Sequence, residues 1–197
     1  MFKVIIYSCL NKDPWPDELL QKSFQLMPTS IQQRISRYTD RKEQQARLLG
    51  KLLLLWHLKG YGKQAVSFLD GLGYNSFNKP YFIAGDLPCF NVSHTVGLTI
   101  CGICDDMEIG VDVEGWVGDE GELEHWSKRE AQLKAAGVGM VGEISEEELS
   151  MYLPRPLLLE PGYIGFVAGK AINYSIDIIP INGEQMIERL IQLTLQD

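Results

Sequence analysis

The chain has 197 residues, a net charge of −8, 45% hydrophobic and 22% charged side chains, a globular composition that excludes collagen-like, coiled-coil and wholly disordered readings. No apolar run nears the roughly 20 residues a membrane helix needs, and the opening Met1 to Tyr7 is too short an apolar stretch for a signal peptide, so a cytoplasmic protein without a membrane partner is expected. Nucleic acid is not an expected partner either, because the basic residues are not interleaved with stacking aromatics and the pI is about 4.9.

In chain order, Phe2 to Leu10 is rich in β-formers and predicts a strand. Helices are expected over Asp17 to Met27 and Ile31 to Tyr38. Asp40-Arg-Lys-Glu43 has the form of a capping box. The helical spacing of Ala46, Leu49, Leu52, Leu53 and Trp56 then predicts a helix from Asp40 to Lys59, with Gly60 as its left-handed stop. Turns are expected at Gly71-Leu-Gly73 and Asn78-Lys-Pro80, a short strand at Tyr81 to Ile83, and a strand end or turn at Phe90 to His94. Leu98 to Cys104 and Glu108 to Glu114 read as strands. The stretch 105–124 holds nine acids and no base, which predicts mostly exposed loop. Ser127-Lys-Arg-Glu130 is a second capping-box pattern, opening a helix that stops near Gly137. A short exposed helix or loop follows at Glu143 to Leu149, then strands at Tyr163 to Ala168 and Ala171 to Ile179, and a terminal helix at Glu184 to Leu195. Helices and strands without regular βαβ alternation give the class α+β.

Cys101 and Cys104 form one C-x-x-C with no second pair, and on a strand they point to opposite faces, so buried thiols are expected rather than a zinc or redox site. Charge is uneven. Residues 1–104 hold 12 basic and 7 acidic side chains (+5), and residues 105–197 hold 6 and 19 (−13); one side suits an anion, the other a cation.

Three segments bear on chemistry. In Gly110-Val-Asp112-Val-Glu114, a strand would put Asp112 and Glu114 on one face with Cα atoms about 6–7 Å apart. Such a pair suits a hard divalent cation, or simply the wet face of an edge strand. In Trp126-Ser-Lys-Arg-Glu130-Ala-Gln-Leu-Lys134, Glu130 and Lys134 share a helical face, either as a capping residue with an ion pair or as a carboxylate for a metal or proton and a cation for phosphate. In Asn91-Val-Ser93-His94, a neighbouring Ser and His do not make a catalytic triad, but both can donate hydrogen bonds to phosphate.

In this order and spacing, the three segments resemble the 4′-phosphopantetheinyl transferases of the larger, pseudo-dimeric type. Arg37-Tyr-x-x-Arg-Lys-Glu-x-x-x-Arg47-x-x-x-Gly50, Asn78-Lys79-Pro80 and Pro161-Gly-Tyr163 add to the resemblance, which spans roughly residues 30–170. It implies two similar α+β halves, 1–105 and 106–197, about a pseudo-twofold axis, in a monomer. It implies Mg²⁺-dependent transfer of the phosphopantetheine arm from coenzyme A to a serine of an acyl or peptidyl carrier protein. Carried over, Arg34, Arg47, Lys79, Pro80, Ser93 and His94 would hold coenzyme A. Asp112, Glu114 and Glu130 would surround the metal. Glu130 would serve as or position the base, and Lys134 would neutralise the departing bisphosphate. Two features depart from the family: Arg129 stands where it usually has lysine, and only 11 residues, Gly115 to His125, separate Glu114 from Trp126. The shortened stretch leaves a second reading, a relative that binds coenzyme A or a partner without turnover.

Overall fold

The computed structural model describes residues 2–62, 65–116, 120–139, 142–170 and 173–195. Among these, seven α-helices and three sheets form a mixed α+β fold. Strand β1 (Phe2–Leu10) leads into α1 (Asp17–Gln25), α2 (Thr29–Ile35) and the long α3 (Arg41–Leu58). Asp40 caps α3 by accepting a hydrogen bond from the Glu43 backbone N–H at 2.9 Å. The expected stop at Gly60 falls two residues later. A 3₁₀ turn at Lys59–Tyr61 continues the helix, and Gly62, at φ +100°, takes the left-handed position.

The segment then runs through α4 (Ala65–Asp70), β2 (Leu72–Tyr74), β3 (Pro80–Phe82), β4 (Cys89–Thr95), β5 (Leu98–Cys104) and β6 (Ile109–Gly115). Helix α5 (Glu120–Ala136), α6 (Glu146–Leu149), β7 (Leu153–Pro156), β8 (Tyr163–Gly169), β9 (Tyr174–Pro180) and α7 (Gly183–Leu195) complete it. Residues 171 and 172 of the expected last strand lie outside the described residues.

Two sheets carry the site. One has the order β4-β5-β1-β9, the other β6-β8-β7, and β2-β3 is a separate hairpin. The first sheet is buried on both faces, which is why β5 is enclosed along all seven residues. On one face, α3 and α7 close a core of Leu49, Leu52, Leu53, Ile103, Ile187 and Leu190. On the other, Ile6, Ile100 and Tyr174 meet Ile109, Val111 and Val167 of the second sheet. Helix α5 covers the far side of that second sheet through Ala131, Ala135, Phe166 and Ala168. The layers therefore run helices, sheet, sheet, helix. Cys101 and Cys104 point into the two different cores, and all four cysteines are free.

Strand β9 and helix α7 cross the sequence division at 105/106. β9 pairs in parallel with β1, Phe2 opposite Tyr174 through Ser8 opposite Pro180, and Met186, Ile187 and Leu190 join the core built by α3.

Strand β6 matches the strand expected at Glu108 to Glu114, whereas α5 begins at Glu120 rather than Ser127, so the end of the 105–124 stretch is helix and not loop. Ser127 consequently is no cap. It lies fully buried inside α5.

Candidate functional site

The neighbouring edge strands β4 and β6 are stitched together by polar side chains of β4. Asn91 Oδ1 accepts from the Val111 N–H at 2.9 Å, Ser93 Oγ donates to Asp112 Oδ1 at 3.1 Å, and Thr95 Oγ1 accepts from the Gly115 N–H at 3.2 Å. Residues 91, 93 and 95 share one face of a strand and 90, 92 and 94 the other. Ser93 and His94 thus diverge, Ser93 toward β6 and His94 toward α3.

On the other side of β6, α5 comes unusually close. A Cβ on Gly110 would lie 2.1 Å from the Ala131 carbonyl oxygen and 2.2 Å from the Ala135 nitrogen. Only glycine permits that approach, and it lays one face of α5 directly over Asp112. As a result Asp112 and Glu114 from β6 and Glu130 from α5 each place a carboxylate oxygen within 4.8 Å of the others. Lys134, one turn beyond Glu130, puts its Nζ 2.7 Å from Asp112 Oδ1, 3.0 Å from Glu130 Oε1 and 3.1 Å from Ser93 Oγ.

The electrostatics are unbalanced. Two unit charges about 4 Å apart interact by about 4 kcal/mol at an effective dielectric of 20. Three carboxylates face one ammonium, a formal excess of two negative charges. Glu114 responds: burial first, then the Asp112 and Glu130 charges, raise its carboxyl above the usual range, with Lys134 and the Trp126 indole hydrogen bond opposing. Asp112 is 1% exposed, and its Oδ2 is enclosed with no hydrogen-bond partner among the described residues. An enclosed carboxylate oxygen without a donor, beside two further carboxylates, is the donor set a hard divalent cation takes. The residues fit such an ion.

Around the edge of β4 lies a cavity of about 400 Å³ between α2, α3, the β2-β3 hairpin and β4, lined by Arg34, Tyr38, Arg47, Lys51, Tyr74, Asn78, Pro80 and His94 among others. No carboxylate among the described residues lines it. The Arg34 guanidinium lies 3.8 Å over the Tyr74 ring and donates to Asn78 Oδ1 at 3.3 Å; Arg47 lies 4.0 Å over Tyr38. Glu43, set back from the cavity, pairs with Arg47 Nε at 2.6 Å and faces His94 Nε2 at 3.3 Å. Burial holds His94 below the usual imidazole range, against the pull of Glu43 and with help from Arg47 and Lys134. A neutral imidazole there can still donate one hydrogen bond.

Of the expected ligand-holding residues, the fold brings Arg34, Arg47, Pro80 and His94 to this cavity. Ser93 is turned to the carboxylates instead. Lys79 does not line the cavity: its ammonium binds Glu108 at 2.6 Å and the Ile109 carbonyl at 3.2 Å, bracing the β2-β3 hairpin against the start of β6. Reading the sequence missed Lys51. The signal was available in its spacing, four residues after Arg47 on one face of α3. Neither any family model nor any curated protein matches the chain.

Proposed function

We propose that the protein transfers the 4′-phosphopantetheine arm of coenzyme A to a carrier-protein serine, as the sequence resemblance implies. The observation that carries this reading is the adjacency of two unlike sites, a three-carboxylate cluster with an unsatisfied buried oxygen and a cavity lined, among the described residues, by cations and no acid. A substrate with a pyrophosphate and a further phosphate has a use for both.

In this reading Arg34, Arg47 and His94 hold phosphate oxygens in the cavity, with Tyr38 and Tyr74 as apolar walls. Asp112, Glu114 and Glu130 would hold Mg²⁺, which when bound supplies positive charge to the pyrophosphate oxygens. Glu130 accepts the proton of the carrier serine, or orients that hydroxyl, as its oxygen bonds to the phosphorus bearing pantetheine. The anhydride bond on the adenosine side breaks, and Lys134 turns its donors to the departing bisphosphate. Ser93 keeps Lys134 and Asp112 in register. Supporting the family's two related halves about a pseudo-twofold axis, each large sheet is paired with one long helix, α3 on the first and α5 on the second.

The test is to incubate the protein with coenzyme A, Mg²⁺ and several apo carrier proteins and weigh the carriers. Each accepted carrier should gain the mass of one phosphopantetheine arm, and EDTA should abolish the gain. No gain on any carrier with folded protein sinks the reading. A second reading, binding of coenzyme A without turnover, is favoured by the short stretch of 11 residues, Gly115 to His125, between Glu114 and Trp126. It predicts thermal stabilisation by coenzyme A with unmodified carriers.

A further inference from the structure

Lys51 differs from every other lysine near the two sites. Lys79 is paired with Glu108, and Lys134 with Asp112 and Glu130. Lys51 has no ion pair and no hydrogen bond to a described residue; its ammonium lies 5.8 Å from the centroid of the buried Phe90 ring. It also sits in the cavity that already holds Arg34 and Arg47. A partly enclosed cation without a counter-ion, beside two more of the same sign, is costly unless an anion completes the set. Nothing in the local packing of α3 requires a charge at this position, since its neighbours Leu52 to Leu55 are all buried aliphatics.

We propose that Lys51 is the cation that closes this cavity on a phosphate group of the ligand, and that the ligand is taken up together with a proton on Lys51. The inference rests on the phosphopantetheine reading for the ligand's identity, and on the cavity alone for its charge. Burial, partly offset by the Cys101 thiol and reinforced by Arg34 and Arg47, pushes the free Lys51 ammonium down to about 8. A phosphate beside it restores the ordinary lysine range, so the bound state holds more proton than the free one. Affinity is therefore highest near pH 7, where the phosphate has lost its second proton and Lys51 is still charged, and falls as pH rises past 8. The other groups facing Lys51 do not titrate in that window. Besides the guanidinium groups of Arg34 on α2 and Arg47 on α3, His94 on β4 is held below its ordinary range, Tyr74 on β2 is raised by burial, and the Cys101 thiol on β5 is pushed up to about 12.

The experiment is calorimetric titration of the full chain with coenzyme A and, separately, with inorganic pyrophosphate, in EDTA from about pH 7 to 9.5. The wild type should lose about tenfold or more in affinity across that range, and K51M should be weaker by about tenfold at pH 7 and level thereafter. K51R is the deciding variant. Arginine keeps its charge throughout, so affinity should stay near the wild-type pH 7 value even at pH 9.5, which an effect of folding alone cannot produce. Unchanged wild-type affinity over the range, or a K51R profile that falls like the wild type, overturns the inference. Lysine-dependent binding of pyrophosphate without coenzyme A binding keeps it, and binding of neither probe overturns it; the carrier mass assay, run with Mg²⁺, judges the phosphopantetheine reading separately.

Discussion

Glu114 is the residue on which stability and function conflict most directly. Its carboxyl is half-buried, faces Asp112 and Glu130, and is held above its ordinary range. An acid with a raised folded pKa costs stability as pH rises from its unfolded value through the folded one, because the folded state must then carry a charge that the unfolded chain carries more cheaply. Glu114→Gln should therefore raise the melting temperature in EDTA at neutral pH by about 2–4 °C, the shift that 1 kcal/mol produces in a chain of this size. The same variant should lose the extra stabilisation that Mg²⁺ or Mn²⁺ gives the wild type. Thermal melts with and without metal read both effects; a variant less stable in EDTA would mean that Glu114 is better satisfied than its neighbours suggest. At this scale much was legible. The i, i+2 spacing of Asp112 and Glu114 and the i, i+4 spacing of Glu130 and Lys134 put each pair on one face before any fold was known. Spacing could not show that Lys79 is consumed by Glu108, or that Ser93 turns its back on His94's cavity, because those outcomes depend on which strand lies alongside.

The contact between β6 and α5 is where an element, rather than a residue, sets the site. With no room for even a methyl group at Gly110, Gly110→Ala must push the helix away from the strand. We expect a loss of about 2–4 kcal/mol in denaturant unfolding, at or beyond the usual cost of overpacking, together with loss of metal-induced stabilisation as Glu130 leaves Asp112. Gly60→Ala, with nothing within 4 Å of the added carbon, is the matched control and should be within about 0.5 kcal/mol of wild type. Elements built on their own apolar periodicity, such as α3 and β5, could be read from the sequence. Strand β4 was harder: its alternate polar residues look solvent-facing, yet Asn91 and Ser93 are buried against β6. The start of α5 was obscured by its acids. Residues such as Glu122 and Glu124 resemble loop composition, although negative charge in the opening turns suits the helix dipole, and Ser127 mimics a cap from a buried interior position.

Across the whole molecule, the resemblance suggested a division at residue 105, whereas sheet pairing runs across it. Residues 1–105 alone would leave β1 without its β9 neighbour and strip Met186, Ile187 and Leu190 from the core against α3. That fragment should show no cooperative melt by circular dichroism, while the full chain should; a sharp transition in the fragment would make the first half an independent unit. Long-range parallel pairing of this kind leaves no local trace in sequence, since β1 and β9 each look like an ordinary strand and their paired residues, such as Phe2 and Tyr174, lie 172 positions apart.

The β1–β9 ladder also has a temporal cost. In a nascent chain β1 emerges well before β9, so one of its edges has no neighbour until residue 180 has followed. Until then an apolar strand template stands open. Closing so distant a contact is slow, so that edge stays open while most of the chain is being made.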